Sequence, residues 1–119
     1  MPINSRNKGK VGELEWAAKL REFGFEAERG QQRAGGADSP DVRCSIPKVH
    51  FEVKRVEALN IYKAMEQATR DCDKGMEGNS GGYREPVVAH RKNRTEWLVT
   101  LRADDYLGIA KAMIEEGIW

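Results

Sequence analysis

The spacing of hydrophobic and polar positions along the chain predicts eight secondary-structure elements. Apolar residues recur with a helical period in three segments, which span about 8–23, 60–75 and the residues from Asp104 or Asp105 onward. Period-two alternation or short apolar runs indicate five strands, near 26–31, 42–44, 49–56, 86–90 and 97–101. The predicted order is αβββαββα, so we expect an α/β fold with one mixed central sheet flanked by helices.

Residues with special backbone or capping properties set the predicted helix ends. Gly24 stops the first helix, Asn60 caps the second helix, and Gly75 ends it. The last helix has an apolar side that we predict to face the core, made of Leu107, Ala110, Met113 and Ile114. Ile118 and Trp119 follow that helix, and an exposed apolar pair at this place would indicate an interface.

Length and composition exclude several classes of protein. The 119 residues are expected to form one domain, 1–119, with 39% hydrophobic residues and no apolar run near the ~20 residues of a membrane span. Two cysteines in no metal-type spacing and two histidines are too few for a zinc site, and we expect the cysteines to be reduced. The start MPINSRNKGK lacks the apolar stretch of a secretory signal. We therefore expect a cytoplasmic protein of a bacterial cell or phage-infected host, with no membrane partner.

The net charge of +1 is small, but the charges are unevenly distributed. Residues 1–10 and 84–102 each carry +3, whereas residues 103–119 carry −3. This asymmetry allows a basic face for phosphate groups beside an acidic face, although an ordinary solvated surface has the same composition.

The predicted strand at 49–56 is the most informative stretch for chemistry. Its alternation places His50, Glu52 and Lys54 on one face and apolar residues on the other. A carboxylate and an ammonium group buried on a central strand cost desolvation energy, so their presence there indicates a function. The competing interpretation is an edge strand on which Glu52 and Lys54 are solvated.

Two further acids are predicted to lie near Glu52. Asp41 begins the preceding strand, and because adjacent strands are ~4.8 Å apart, Asp41 and Glu52 are close enough to share one cation. On the first helix, Glu13 falls on the same side as Trp16 and Leu20. It therefore faces inward, unless the helix is rotated so that it borders solvent. An inward carboxylate needs a partner, and a metal ion is one.

Three carboxylates and one lysine predict a metal-dependent phosphodiesterase site. Mg²⁺ prefers oxygen ligands, and we expect Mn²⁺ to substitute for it. Asp41 and Glu52 would hold the ion together with the Val53 carbonyl, while Glu13 would bind it through water or place a second ion. The ion would lower the pKa of a bound water and neutralise charge on the phosphate. Lys54 would orient that water or stabilise the transition state, and no organic cofactor is expected.

These residues, taken in order, resemble a known superfamily of nucleases. The dipeptide PD at 40–41 and the tripeptide EVK at 52–54, with Glu13 in the first helix, are similar to the PD-(D/E)xK nuclease superfamily. Within it, the chain resembles the small Holliday junction resolvases and their phage-encoded relatives over most of its length. The resemblance implies a restriction-endonuclease-like fold. It assigns the two motif acids to metal binding, the motif lysine to catalysis, and Glu13 to the helix acid of resolvase-like members.

The resemblance also implies residues that contact DNA. Gln67, on the second predicted helix, matches a catalytic glutamine near the scissile phosphate in several branches, although an ordinary amide on the flank of the helix is the competing interpretation. Groups at the basic start match positions that bind the DNA backbone in resolvases, and two arginines beside the glycine-rich loop are expected to act likewise. Together these groups are Ser5, Arg6, Lys8, Lys10, Arg29 and Arg33. For each of them, a solvated surface group is the alternative.

The function that the resemblance implies is a Mg²⁺-dependent DNA endonuclease, most specifically a Holliday junction resolvase in recombination or phage DNA processing. A homodimer is expected because a four-way junction needs two paired cuts and a two-fold dimer has two equivalent sites. Nicking, or another repair activity on branched DNA, would use the same chemistry. A non-catalytic DNA-binding module on this fold and a small structural protein with surface charges are the alternatives from other classes.

Overall fold

The structure, a computed structural model, describes residues 5–30, 41–76 and 84–119. Its helices and strands follow the predicted order and are α1 (Ser5–Glu22), β1 (Ala27–Arg29), β2 (Val42–Cys44), β3 (Val49–Arg55), α2 (Ile61–Met76), β4 (Glu85–Arg91), β5 (Leu98–Leu101) and α3 (Ala103–Glu115). The described strands form one sheet in the order β1-β2-β3-β4-β5. The predicted α/β class with a mixed sheet is confirmed.

The sheet is parallel only between β3 and β4. These two strands are joined through α2, with Phe51 beside Val87 and Glu52 beside Val88. The pairs β1–β2, β2–β3 and β4–β5 are antiparallel, and the last pair is the predicted hairpin. Because β3 has a neighbour on each side, it is a central strand, and the edge-strand interpretation of its charged residues is wrong.

A hydrophobic core fills the space between α1 and one face of the sheet. Trp16, Ala17 and Leu20 of α1 are buried against the sheet residues Val42, Phe51, Val53, Val87 and Ala89. The Trp16 ring meets the Phe51 ring edge-on, with centroids 5.3 Å apart. His50 and Glu52 alternate with these apolar residues of β3, so they lie on the opposite face, which α2 covers.

α2 covers that second face with small side chains. Ala64 and Ala68 are buried and pack against Val88 of β4. Cys72 is buried one turn further along, and its Sγ donates a hydrogen bond to the Arg84 carbonyl at 3.3 Å. Small residues bring the helix axis close to the sheet, which places the longer side chains on the flank of α2 within reach of β3.

The helix bounds agree with the sequence signals to within a few residues. α1 begins at Ser5 rather than near Lys8, and Gly24 follows its end with a φ of 88°, which favours glycine. Asn60 caps α2 as predicted, because its Oδ1 accepts a hydrogen bond from the backbone amide three residues later at 3.2 Å. α2 continues through Gly75 for one more residue. None of the helices in these ranges is long and apolar enough to cross a membrane.

α3 differs most from its prediction. It begins at Ala103, one residue earlier than expected, and none of its residues is buried. It packs closely against no other helix or strand of the described ranges. Leu107 and Ile114 are 60% and 63% exposed, while Ala110 and Met113 are half-buried. The predicted inward face is therefore wrong, because the apolar period is present but the core of the chain does not lie against it.

Gly12 allows α1 to approach β3 closely. A Cβ at this position would lie 2.6 Å from the Cβ of Arg55, so the helix and the central strand would have to separate. We expect Gly12→Ala to lower the free energy of unfolding by about 1–3 kcal/mol. Denaturant titration followed by circular dichroism measures this change. Gly9→Ala is the matched control, since a Cβ there has no neighbour within 4 Å. Equal stability of the two variants would contradict the close approach.

Candidate active site

Two carboxyl groups from neighbouring strands meet beside the middle of β3. Asp41 directly precedes β2, and Glu52 is the central residue of β3. The backbone amide of Val53 donates a hydrogen bond to Asp41 Oδ2 at 2.8 Å, which holds that side chain against β3. Glu52 is 4% exposed, and its Oε2 has no hydrogen-bond partner among the described residues. The two predicted acids are brought together, and one of their oxygens is buried and unsatisfied.

Burial disfavours the ionised form of both carboxyl groups. Desolvation, followed by repulsion from the Asp41 charge, raises the pKa of Glu52 to about 8. Desolvation also raises the pKa of Asp41 to about 6, although the hydrogen bond from the Val53 amide opposes this shift. Two ionised carboxylates at this place therefore need a compensating cation.

Gln67 links Glu52 to Lys54. Lys54 Nζ donates a hydrogen bond to Gln67 Oε1 at 3.0 Å, and Gln67 Nε2 donates to Glu52 Oε1 at 3.2 Å. The amide lies on the flank of α2 and fixes two residues of the facing strand at once. Gln67 therefore contacts both residues of the strand motif, and its catalytic role stays a prediction.

Glu13 faces inward, as predicted, but it has a cationic partner. It is 9% exposed, and Arg29 Nε donates a hydrogen bond to Glu13 Oε1 at 2.5 Å. The Glu13 charge is also one of the causes that raise the pKa of Asp41, which places Glu13 close to the acid pair. Arg29, predicted to contact DNA, here neutralises Glu13 while its side chain stays 36% exposed.

The donor atoms fit a cation held by two acids. In the three described ranges, no group of three or more acidic, histidine or cysteine side chains is close enough to hold a metal ion. Because Arg29 already pairs with Glu13, the acids left to hold a cation are Asp41 and Glu52. The unsatisfied Glu52 Oε2 beside Asp41 is an oxygen ligand of the kind that Mg²⁺ prefers. Val53 contributes its amide to Asp41, and its carbonyl as a ligand stays a prediction.

The remaining predicted DNA-binding residues lie in and around the first turns of α1. Ser5, Arg6 and Lys8 belong to these turns. Lys10 is exposed and precedes Glu13 by one turn of the same helix. The first helix therefore leads from a basic segment to the acid pair. Arg33 lies outside the described residues.

Sequence reasoning missed an ion cluster on the other face of the sheet. Glu15 Oε2 of α1 lies 2.8 Å from Arg91 Nη1 and 3.5 Å from Arg55 Nε. Arg55 and Arg91 are neighbours across the parallel β3–β4 pair. One carboxylate therefore ties α1 to both central strands. The only signal in the sequence is an arginine at the end of each strand, and it becomes informative once the two strands are known to be parallel.

A comparison with solved structures finds a similar fold in Hjc of Archaeoglobus fulgidus, a Holliday junction resolvase from an archaeal hyperthermophile. The match covers 75% of this chain and 72% of the archaeal chain, with 21% sequence identity and a TM-score of 0.53. No protein-family model matches the sequence, and no curated protein is significantly similar to it. The likeness is one of fold, and it confirms the fold that the sequence resemblance implied.

The buried acid pair gives the metal-free protein a characteristic pH dependence. The pKa of Glu52 is about 8 in the folded state against 4.5 for the free side chain, so between these values the folded state binds more protons than the unfolded state. The free energy of unfolding should therefore fall as the pH rises from about 5 to 8, by on the order of 2–4 kcal/mol. Denaturant titrations in EDTA measure it, and the same titrations of Glu52→Gln should show a smaller fall. Equal slopes for both proteins would contradict the assignment to Glu52.

Proposed function

We propose that the chain is a metal-dependent DNA endonuclease that hydrolyses phosphodiester bonds. The observation that carries the proposal is the buried pair of Asp41 and Glu52, joined through Gln67 to Lys54. Two acids on neighbouring strands with an adjacent lysine suit hydrolysis of a charged ester, because they can hold a cation beside a phosphate. The fold, which is similar to that of an archaeal resolvase, supports the same reaction.

The residues of the chain would divide the chemistry between them. Asp41 and Glu52 would hold Mg²⁺, or Mn²⁺ in its place, and the bound ion would neutralise phosphate charge and acidify a water. The Val53 amide orients Asp41, and Gln67 orients Glu52. Lys54 would orient the attacking water or stabilise the negative charge that develops on the phosphate. Because Gln67 already fixes Lys54 next to Glu52, little reorganisation is needed when DNA binds.

We propose a Holliday junction as substrate and a homodimer as the active form, acting in recombination or phage DNA processing in the cytoplasm. Two paired cuts require two equivalent sites, which a two-fold dimer supplies. The DNA backbone would be held by the predicted basic set, made of Ser5, Arg6, Lys8, Lys10, Arg29 and Arg33. These contacts give affinity on any DNA, so preference for a junction would come from the spacing of the two sites.

Cleavage of three substrates tests the proposal. A synthetic four-way junction, a nicked duplex and a linear duplex are each incubated with Mg²⁺ and with EDTA. We expect paired cuts in the junction with Mg²⁺, little cutting of linear duplex, and none with EDTA. Equal cutting of all three substrates would contradict the proposal of a junction resolvase and would favour a nicking or repair nuclease. DNA binding without cleavage under any divalent ion would favour the non-catalytic module.

A further inference from the structure

A pocket lies at the carboxyl ends of the parallel strands β3 and β4. Its walls are the segment that leads from β3 into α2 and the connection between β4 and β5. Its volume is about 300 Å³, which is small for a ligand site but large enough for one heterocyclic ring. Ligands of α/β proteins commonly bind outside the carboxyl ends of parallel strands. None of the residues assigned above to catalysis or metal binding is among the described lining residues, so the pocket is a separate feature.

His90, a lining residue, places the pocket next to the proposed active site. It lies beside Lys54 in the register of the parallel pair and opposite Leu98 in the β4–β5 hairpin. Because neighbouring strands are ~4.8 Å apart, this wall of the pocket is one strand away from the motif lysine. Val88, two residues before His90, packs against α2. By alternation, the pocket is therefore on the same side of the sheet as Glu52 and Lys54.

The apolar part of the lining is only partly covered by the chain itself. Four aliphatic side chains contribute to it, namely Val56, Leu59, Ile61 and Leu98. Leu98 is 54% exposed and Val56 is 37% exposed. Single exposed apolar residues are common, but several that meet in one pocket mark a binding surface. A ligand with an apolar face would remove this surface from water.

The two loops that form the walls are held together by a hydrogen bond. Glu57, which follows β3, accepts it at Oε2 from the backbone amide of Asn93 at 2.7 Å. Asn93 belongs to the β4–β5 connection, in which Thr95 Oγ1 donates a hydrogen bond to the Lys92 carbonyl at 2.9 Å. The walls are therefore in place before a ligand binds, and little conformational entropy is lost on binding.

The charges of the pocket balance, which argues against a phosphate group as its ligand. Arg91 and Lys92 are positive, and Glu57 and Glu96 are negative. Arg91 is, in addition, already paired with Glu15. A phosphate would need uncompensated cations, whereas a nucleobase is neutral, has two apolar faces and carries hydrogen-bond donors and acceptors at its edges. A single base of DNA therefore suits a neutral, partly apolar pocket beside the proposed phosphodiesterase site.

We propose that the pocket holds one base of the DNA strand that is cut, turned out of its stack. The inference rests on the proposed function and names the part of the substrate next to the scissile phosphate. A stacked strand advances about 3.4 Å per nucleotide, so a base within about three nucleotides of a phosphate at Lys54 reaches the pocket. Turning out a base costs least where stacking is already broken. The pocket would therefore favour branched or nicked DNA over linear duplex, in addition to the effect of two spaced sites.

The fluorescence of 2-aminopurine in the DNA tests the inference without cleavage. Stacking quenches this base analogue, so its emission rises when the base leaves the stack, and none of the described lining residues has a phenyl or indole ring that would quench it again. The analogue is placed in turn at each nucleotide near the branch of a four-way junction, and the full chain is added in EDTA. We expect a rise of about threefold or more at one position. No rise at any position would overturn the inference.

A substitution in the pocket separates it from other DNA-binding surfaces. Leu98→Asn keeps the approximate size of the side chain but makes it polar, and it should abolish the rise. Val99→Asn is the matched control, because Val99 is 50% exposed on the other face of the same strand, and it should behave as wild type. An abasic residue at the responsive position should weaken wild-type binding about tenfold and the binding of Leu98→Asn much less. Equal weakening of the two proteins would overturn the inference.

The proposed chemistry is judged separately, by EDTA-sensitive cleavage. A protein that cuts DNA but has no responsive base would refute the base pocket alone, and one that has a responsive base but cuts nothing would refute the nuclease alone. If Leu98→Asn weakened the binding of every DNA alike, whether or not a base is present at that position, the pocket would have a different occupant and the inference would be wrong.

Discussion

Glu52→Gln is expected to reduce metal-dependent DNA cleavage at least about a hundredfold, which is about 2.7 kcal/mol in the activation free energy. The substitution keeps the shape of the side chain and removes the charge that would hold the cation. DNA binding should stay the same or tighten, because one repulsion with phosphate is lost. Single-turnover cleavage of a labelled junction measures the first effect, and a binding titration in Ca²⁺ or EDTA measures the second.

The control for this variant is Glu22→Gln, the same chemical change at an exposed position near the end of α1. It should cleave as wild type does. Asp41→Asn should repeat the loss, since Asp41 is the other half of the acid pair. A Glu52→Gln protein that retains more than a few per cent of wild-type cleavage would remove Glu52 from the site. The fold should survive, because Gln67 Oε1 or Nε2 can pair with an amide as well as with a carboxylate.

Lys54→Ala is expected to lower turnover by about 10²–10³ with no change in metal affinity. Lys54 Nζ donates its hydrogen bond to Gln67, and Gln67 in turn bonds to Glu52, so removal of Lys54 leaves the two cation ligands in place. What is lost is the group that orients water or stabilises charge in the transition state. Calorimetric titration with Mn²⁺ gives the metal affinity, and single-turnover cleavage at saturating metal gives the rate.

Lys63→Ala, which removes an exposed lysine of α2, is the matched control and should leave the rate unchanged. A parallel loss of Mn²⁺ affinity in Lys54→Ala would mean that Lys54 acts by shaping the ligand pair, and the role given to it here would be wrong. The cleavage rate of Gln67→Ala should lie between those of Lys54→Ala and Lys63→Ala, because this change breaks the link between Lys54 and Glu52 but leaves both residues in the site.

The sequence predicted those parts of the site that local pattern determines. The alternation of β3 is local, so the shared face of Glu52 and Lys54 followed from it, and the PD and EVK motifs added Asp41. Glu13 was predicted to face inward because helical spacing is local too. Its partner Arg29 was expected on DNA instead, because the pairing depends on β1 lying beside α1, and no local pattern reports that contact.

The difference between local spacing and contacts between elements also explains why the prediction for α3 is wrong. Leu107 and Ile114 have the spacing of a buried face, and spacing identifies which side of a helix is apolar. It does not identify what lies against that side, and here the described chain places nothing there. For Gln67 the spacing alone is ambiguous, because a helical projection places it at the border of the apolar side of α2. Its contacts with Glu52 and Lys54 follow from the packing of α2 on β3.

The short pairing of β2 with β3 bears on which part of the site opens most easily. Val42 opposite Phe51 is the register of this pair, while β3 and β4 pair along their whole length. Asp41 is held to β3 by two hydrogen bonds, from its amide to the Phe51 carbonyl and from the Val53 amide to its Oδ2. Local opening costs least where few bonds must break, so Asp41 can leave β3 while Glu52, Lys54 and Gln67 stay in place. Such an opened molecule would hold one acid without the other and would be inactive until β2 returns.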